Sequence, residues 1–386
     1  MIAIETTRLF DGETLHGKRT VLIQAGRIIA VSDRAPPGIP TETLAEGVLL
    51  SPGFIDIQVN GGNGVLFNDD PDAAGLRRIA AAHLDAGTTS ILPTLISAPR
   101  DLQRRAWDAV RQALDTGADG IAGIHIEGPF IARARRGIHP ESAITDLRPD
   151  DLAFLTQSFP GVRLLTLAPE IVATDLIAAL AAAGIIVSLG HSDAPAEAAE
   201  AALAAGAAGF THLFNAMSQL GSRAPGVVGA ALASATAFAS IIADGHHVHR
   251  TSLRAAWQAL GPARLPLISD AMPSVGTDQG FVFNGQSIRL VNGRLTDAAG
   301  TLAGAHLTML EAVRNCVRHA GLPLADALRM ATSAPADAVR LADRGRLSQG
   351  QRADLVALDP SFGLAGVWVG GVRRDCAAQT GSVSSA

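Results

Sequence analysis

The sequence predicts an α/β fold: a (β/α)8 TIM-like barrel with a small β-domain assembled from both chain ends. Three observations carry that expectation. Eight short runs rich in β-branched residues recur along the middle of the chain, Ala-rich segments ending in glycine alternate with them, and both flanks consist of short alternating runs broken by Gly and Asp.

The strand-like runs are FIDIQV (54–59), SILPTL (90–95), GIHI (123–126), RLLTLA (163–168), IIVSL (185–189), GFTHL (209–213), FASIIA (238–243) and PLISD (266–270). Between them, RRIAAAHLDAG, LQRRAWDAVRQALDTG, LIAALAAAG, APAEAAEAALAAG and SLRAAWQALG show helical apolar spacing. Each ends on glycine, the residue that closes a helix most cheaply because it tolerates positive φ. Strand–helix alternation implies a parallel sheet, and eight units in roughly 220 residues suit a closed barrel. An open doubly wound sheet satisfies the same alternation.

The barrel is assigned to residues 51–342. Residues 1–50 and 343–380 are assigned to a small β-sandwich domain, and GTDQGFVFNGQSIRLVNGRLTDAAG (276–300) reads as an inserted hairpin. The tail from Cys376 to Ala386 is too short and polar to pack.

Composition excludes several classes of function. With 386 residues, 48% hydrophobic and 17% charged, the chain can bury a large core. The net charge of −5 and the absence of a basic run argue against nucleic-acid or membrane-surface binding. The longest apolar run, residues 176–190, is broken by Gly184 and falls short of the roughly 20 residues of a bilayer span. Cys316 and Cys376 have no paired spacing, so neither a disulfide framework nor a cysteine zinc site is expected, and a cytoplasmic protein fits. The start, MIAIETTRLF, reads as a strand and not as an export signal.

Four ionisable residues fall at the carboxyl ends of predicted strands: Glu127 after GIHI, His191 after IIVSLG, His212 in GFTHLFNAM and Asp270 in PLISD. In a barrel these ends converge on one face. One Glu and two His are ligands that a catalytic Zn²⁺ or Fe²⁺ takes while keeping a position open, and a neighbouring carboxylate can accept a proton from water. His83 and His319, inside helical segments, and His16, in the flanking β-region, carry no such signal.

The motifs GFIDIQVNGG, GIHIEGPF, LGHSDA, THLFNAMS, IADGHHVH, ISDAMPSVG and TLAGA, in that order, resemble the N-acetylglucosamine-6-phosphate deacetylases of the amidohydrolase superfamily. HIEGPF and THLFNAMS are specific, whereas GRLSQGQRADLVALD is common across the superfamily. The resemblance implies a homodimeric barrel enzyme that uses one divalent metal per subunit, Zn²⁺ or Fe²⁺, to remove acetate from an amino sugar phosphate.

It makes Glu127, His191 and His212 the metal ligands and Asp270 the acid/base. The metal polarises the acyl carbonyl and acidifies water, and Asp270 moves the proton to the departing amine. His139 matches a hydrogen-bond donor to the carbonyl oxygen, with Ile138 beside it against the substrate. Asn215 and Ala216 match sugar or phosphate contacts, as do Asp244, Gly245 and His247, while Leu302, Ala303 and Gly304 match a loop lining the sugar pocket. Arg223 matches a phosphate ligand reaching across the dimer, although SQLGSRAPG departs from the family's usual loop.

Many amidohydrolases have a His-x-His pair where this chain has Gln58 and Asn60. Two neutral amides imply a mononuclear site. They either hydrogen-bond backbone at the barrel mouth or order water at the metal. Two alternatives to this function stay open: an N-acetylgalactosamine 6-phosphate or other N-acyl amino sugar deacetylase, and a sugar-phosphate binding protein without turnover.

Overall fold

The computed structural model describes residues 1–375. Cys376 and the last positions of the expected β-domain lie outside the described residues. Phe54–Val59 is buried at all six positions, as a strand covered on both faces must be. It pairs in parallel with Thr88–Ile96. Gly123–Glu127, Val162–Leu167, Ile186–Leu189, Gly209–Phe210 and Phe238–Ala239 follow side by side, all parallel. Ile241–Ile242 pairs in parallel with Leu267–Ile268. Just beyond, the chain meets the first strand again: Val59 and Ala271 form a parallel bridge, and the Asp270 N–H donates to the Gln58 carbonyl at 3.1 Å.

Two of the later strands are shorter than the sequence suggests, ending at Phe210 and Ile268. The cause lies in the residues that follow. His191, His212 and Asp270 take positive φ values of 49°, 38° and 51°, a conformation uncommon for non-glycine residues. Each turns the chain out of the ladder where a functional side chain is needed. Such strain persists only where the surrounding structure enforces it.

The helices Ala73–Leu84, Arg100–Asp115, Thr174–Ala182, Ala196–Ala204 and Arg250–Leu260 match the Ala-rich segments. Gly226–Ala233, sequence GVVGAALA, is also helical, with Gly226–Ala231 all buried. Its apolar residues form no stripe, so periodicity does not reveal it. The inserted segment is a three-stranded antiparallel sheet, Phe281–Phe283, Gln286–Val291 and Arg294–Thr296. Phe283, Ile288 and Leu295 pack on Leu66, Ile96 and Met272.

The chain ends form two further sheets. One has four strands, in the order Arg27–Ser32, Arg19–Gln24, Ile2–Thr6 and Thr41–Thr43. The other has six and joins Leu49–Pro52 antiparallel to Leu355–Leu358. Ile4, Val21 and Ile28 from the first pack with Leu50, Leu355 and Trp368 from the second in one apolar cluster.

Candidate metal and acid/base site

The four strand-end residues meet. Glu127 Oε1 lies 3.0 Å from His212 Nε2 and 3.3 Å from His191 Nε2, and the two Nε2 atoms are 3.0 Å apart. His139 Nε2 is 3.6 Å from Glu127 Oε2. Ligand atoms of Glu127, His139 and His191 all lie within 4.8 Å of one another. A carboxylate oxygen ringed by imidazole nitrogens is a donor set that suits Zn²⁺ or Fe²⁺.

The far nitrogen of each ring tells what the near one can do. His191 Nδ1 donates to the Arg135 carbonyl at 2.8 Å, so in the neutral ring Nε2 is bare and ligand-competent. His212 Nδ1 is buried with no partner among the described residues. The turn after His191 is fixed by Glu170, which accepts from the Asp193 N–H at 2.6 Å and the Ser192 hydroxyl at 2.7 Å.

Gln58 and Asn60 bond carboxylates and not backbone. Gln58 Nε2 donates to Glu127 Oε1 at 2.9 Å and Asp270 Oδ1 at 3.1 Å, and Asn60 Nδ2 donates to Asp270 Oδ1 at 2.7 Å. One amide NH₂ thus joins two carboxylates. The carbonyl oxygens of both amides are buried without a partner among the described residues.

Burial, reinforced by the Glu127 charge, raises the Asp270 carboxyl to about 6. Burial opposes the charge on Glu127 too, but the three imidazoles that face it, His139, His191 and His212, together hold its carboxyl well below the ordinary value. Burial and then the neighbouring His191 push His139 down to about 4. On His212 burial is outweighed by the hydrogen bond to Glu127 together with the charges of Glu127 and Asp270, and its pKa is raised. Two acids in one site are thereby driven in opposite directions, which separates a permanent anion from a group able to exchange a proton.

A cavity of about 350 Å³ opens over these residues, within the size range of small-ligand pockets. Glu127, His139, His191, His212, Asp270 and Asn60 line it, as do Ile138, Asn215, Ala216, His247, Leu302 and Gly304. Asp244 lies behind His247, its Oδ2 2.7 Å from His247 Nδ1. Burial works against the Asp244 charge, but the bond to His247, its charge and the backbone N–H groups of His246 and His247 together keep the carboxyl low. Asp244 and Gly245 border a separate hollow with His249 and Asn315. Gln58 and Ala303 are buried beneath the cavity lining. Arg223 is exposed and is not brought to the cavity within one chain.

Sequence reasoning missed several residues here. Arg135 lines the cavity and is paired with Asp193, Nε to Oδ1 at 2.8 Å. Ile96, Ile242, Met272 and Thr301 also line it. Asp56, inside the first strand, accepts from the backbone N–H groups of Gln58 and Ser269 at 3.1 and 3.2 Å, which ties the first strand to the segment carrying Asp270. Ser97 bonds His139. Both Asp56 and Ser97 lie on or just after a predicted strand, and a search of strands for buried polar residues would have found them.

Residues 49–374 match the amidohydrolase family, and the chain belongs to it. Among its relatives are deacetylases of N-acetylated amino sugar phosphates. It is 44% identical to an N-acetylgalactosamine-6-phosphate deacetylase of Shewanella sp. (strain ANA-3), over 86% of this chain and 84% of that one. It is 37% identical to the N-acetylglucosamine-6-phosphate deacetylase of Haemophilus influenzae, over 92% and 94%. Among solved structures, the N-acetylglucosamine-6-phosphate deacetylase of Pasteurella multocida superposes with a TM-score of 0.93 at 34% identity, covering 97% of this chain and 99% of that one. An alanine variant of the Mycobacterium smegmatis N-acetyl-D-glucosamine-6-phosphate deacetylase, in complex with N-acetyl-D-glucosamine-6-phosphate, superposes with a TM-score of 0.90 at 32% identity, covering 96% and 98%.

Proposed function

We propose that the protein hydrolyses the acetamide of N-acetyl-D-glucosamine 6-phosphate to D-glucosamine 6-phosphate and acetate. The observation that carries this reading is the pairing of Asp270, its carboxyl raised to about 6, with a Glu127–histidine cluster at the base of one cavity in an amidohydrolase chain.

Glu127, His191 and His212 are the residues that would hold one divalent cation, Zn²⁺ or Fe²⁺. When bound, such an ion supplies Lewis acidity toward the acyl carbonyl and makes water more acidic. Asp270 takes a proton from the attacking water and returns it to the amine nitrogen as the C–N bond breaks; an amide nitrogen leaves only once protonated. His139 donates a hydrogen bond to the acyl oxygen as negative charge gathers there. Ile138, Asn215, Ala216 and the Leu302–Gly304 loop enclose the sugar. His247, oriented by Asp244 beside Gly245, and Arg223 from the other subunit of a homodimer bind the phosphate.

The parallel strands close as a (β/α)8 barrel over residues 51–342, and the two terminal sheets form one β-sandwich domain built, among the described residues, from 1–50 and 343–375. No helix among the described residues is long and apolar enough to cross a membrane, and the enzyme works in the cytoplasm.

A second reading is favoured by the 44% identity to a relative named for N-acetylgalactosamine 6-phosphate: the axial 4-hydroxyl epimer is the substrate. Acetate release from both sugar phosphates, with and without chelator and alongside metal content per chain, separates the readings. Chelator-sensitive release from the gluco epimer supports the first, and preference for the galacto epimer supports the second. Metal and sugar-phosphate binding without acetate release from either would leave a binding protein.

A further inference from the structure

We infer that Ser97 fixes the tautomer of His139, placing the ring proton on Nε2 and making that histidine a hydrogen-bond donor in the cavity and not a metal ligand. The inference deepens the deacetylase reading and rests on it for the identity of the acceptor, the acyl oxygen.

The tautomer follows from a count of protons. Ser97 follows the second strand, is 2% exposed, and its Oγ has two neighbours: His139 Nδ1 at 2.7 Å and the Glu127 carbonyl oxygen at 3.4 Å. A carbonyl only accepts, and a hydroxyl has one proton. If Ser97 spends that proton on the carbonyl, Nδ1 must carry the ring proton and Nε2 is bare. If it donates to Nδ1, Nε2 carries the proton.

Distance favours the second arrangement. The contact to Nδ1 at 2.7 Å is well formed whichever atom donates, but 3.4 Å to the carbonyl is at the limit of a hydrogen bond, so the hydroxyl proton is better spent on Nδ1. Electrostatics agree. His139 Nε2 faces Glu127 Oε2 at 3.6 Å, whereas His191 and His212 face Oε1, so Nε2–H on His139 points a donor at the second oxygen of an anion. His191 shows the opposite solution two elements away, where a carbonyl on Nδ1 leaves Nε2 bare.

The position is also sterically guarded. A Cβ at Gly128 would stand 2.2 Å from Ser97 Oγ, and Gly128 has φ +75°, so only glycine at 128 leaves the hydroxyl in place. Ser97 is therefore a positioning residue that acts through His139.

The test uses the full chain loaded with Zn²⁺ and ring-¹⁵N-labelled histidine, with the His139 signals assigned by their loss in His139→Gln. A pyrrole-type nitrogen at Nε2 and a pyridine-type nitrogen at Nδ1 are expected. A protonated Nδ1, or a metal-shifted Nε2, overturns the inference. Ser97→Ala should populate both tautomers and lower kcat about tenfold, with KM and metal content unchanged. His139→Gln keeps an N–H donor near the Nε2 position, and adding Ser97→Ala to it should cost nothing further. Additive losses, or loss of metal in His139→Gln, also overturn it. Should the wild type release no acetate from either epimer, the deacetylase reading fails, while the nitrogen spectrum still decides the tautomer.

Discussion

Asn60 Nδ2 and Asp270 Oδ1 stand 2.7 Å apart, and Gln58 Nε2 reaches the same oxygen at 3.1 Å. Two donors saturate Oδ1, so Oδ2 is the oxygen left to take a proton. Replacing Asn60 with Leu removes the shorter of the two bonds and lets the carboxyl rotate. Loss of orientation of this kind costs about 10²-fold in rate. Asn60→Leu is expected to lower kcat by 10- to 100-fold, at the order of magnitude of that cost, with metal content unchanged. Steady-state kinetics beside elemental analysis checks it.

The proposed single cation makes the same two positions testable. Imidazoles in place of neutral amides would restore a His-x-His pair beside Glu127 and Asp270. Gln58→His with Asn60→His should therefore raise bound Zn²⁺ from about one toward about two per chain. Metal analysis after exhaustive dialysis gives the answer, and an unchanged count would show that the amides are not what keeps the site mononuclear.

Asp270→Asn removes the proton acceptor while retaining size and polarity. Acetate release should fall by about 10²–10⁴-fold, the usual worth of general acid–base catalysis. Glu127, His191 and His212 are untouched, so the variant should keep its metal. A metal-free variant would mean that Asp270 is a ligand.

Buried His83 gives the fold a pH dependence of known sign. Its Nε2 bonds the Gly61 carbonyl at 3.0 Å, and burial pushes its pKa down to about 4 from the ordinary 6.5. The unfolded chain therefore binds more protons than the folded one between those values. Stability is full above about pH 6.5 and is lost as pH falls toward 4, by on the order of 3 kcal/mol. His83→Gln, which keeps a donor toward Gly61, should flatten that part of the Tm–pH curve relative to the wild type.

Arg223, exposed in a single chain, makes the dimer testable. Arg223→Ala should raise KM for the sugar phosphate by about tenfold or more, the worth of a charge-assisted contact. If the arginine serves the other subunit, mixing Arg223→Ala with Asp270→Asn and letting subunits exchange should, at substrate well below KM where each variant alone is nearly silent, return about a quarter of wild-type activity, because half of the dimers then hold one intact site. No recovery would place the arginine in its own subunit's site or outside any site.

Much of this was legible in the sequence because parallel strands announce themselves. FIDIQV is a strand at the predicted residues, 54–59, a six-residue run carrying three β-branched side chains and buried on both faces of the sheet. Glu127, His191, His212 and Asp270 were found because each ends such a strand. What stayed hidden was set by contacts between distant segments. Ser97 and His139 are 42 residues apart, and Arg135 touches the site through its carbonyl, which carries no sequence signature. The strand ends at His212 and Asp270 were overrun for a related reason: backbone taking positive φ under tertiary constraint does not follow propensity.

The pairing of Leu49–Pro52 with Leu355–Leu358 also sets an order of events during synthesis. Roughly 300 residues separate the two strands, so the ribosome releases the first long before it makes the second. Throughout that interval one long edge of Leu49–Pro52 is an open template, the kind of surface that recruits strands from neighbouring chains. The strand translated later thus acts as a seal on the earlier one. Truncation near residue 350 should leave a chain that precipitates as it is made, even though every residue of the catalytic cavity lies upstream of the cut.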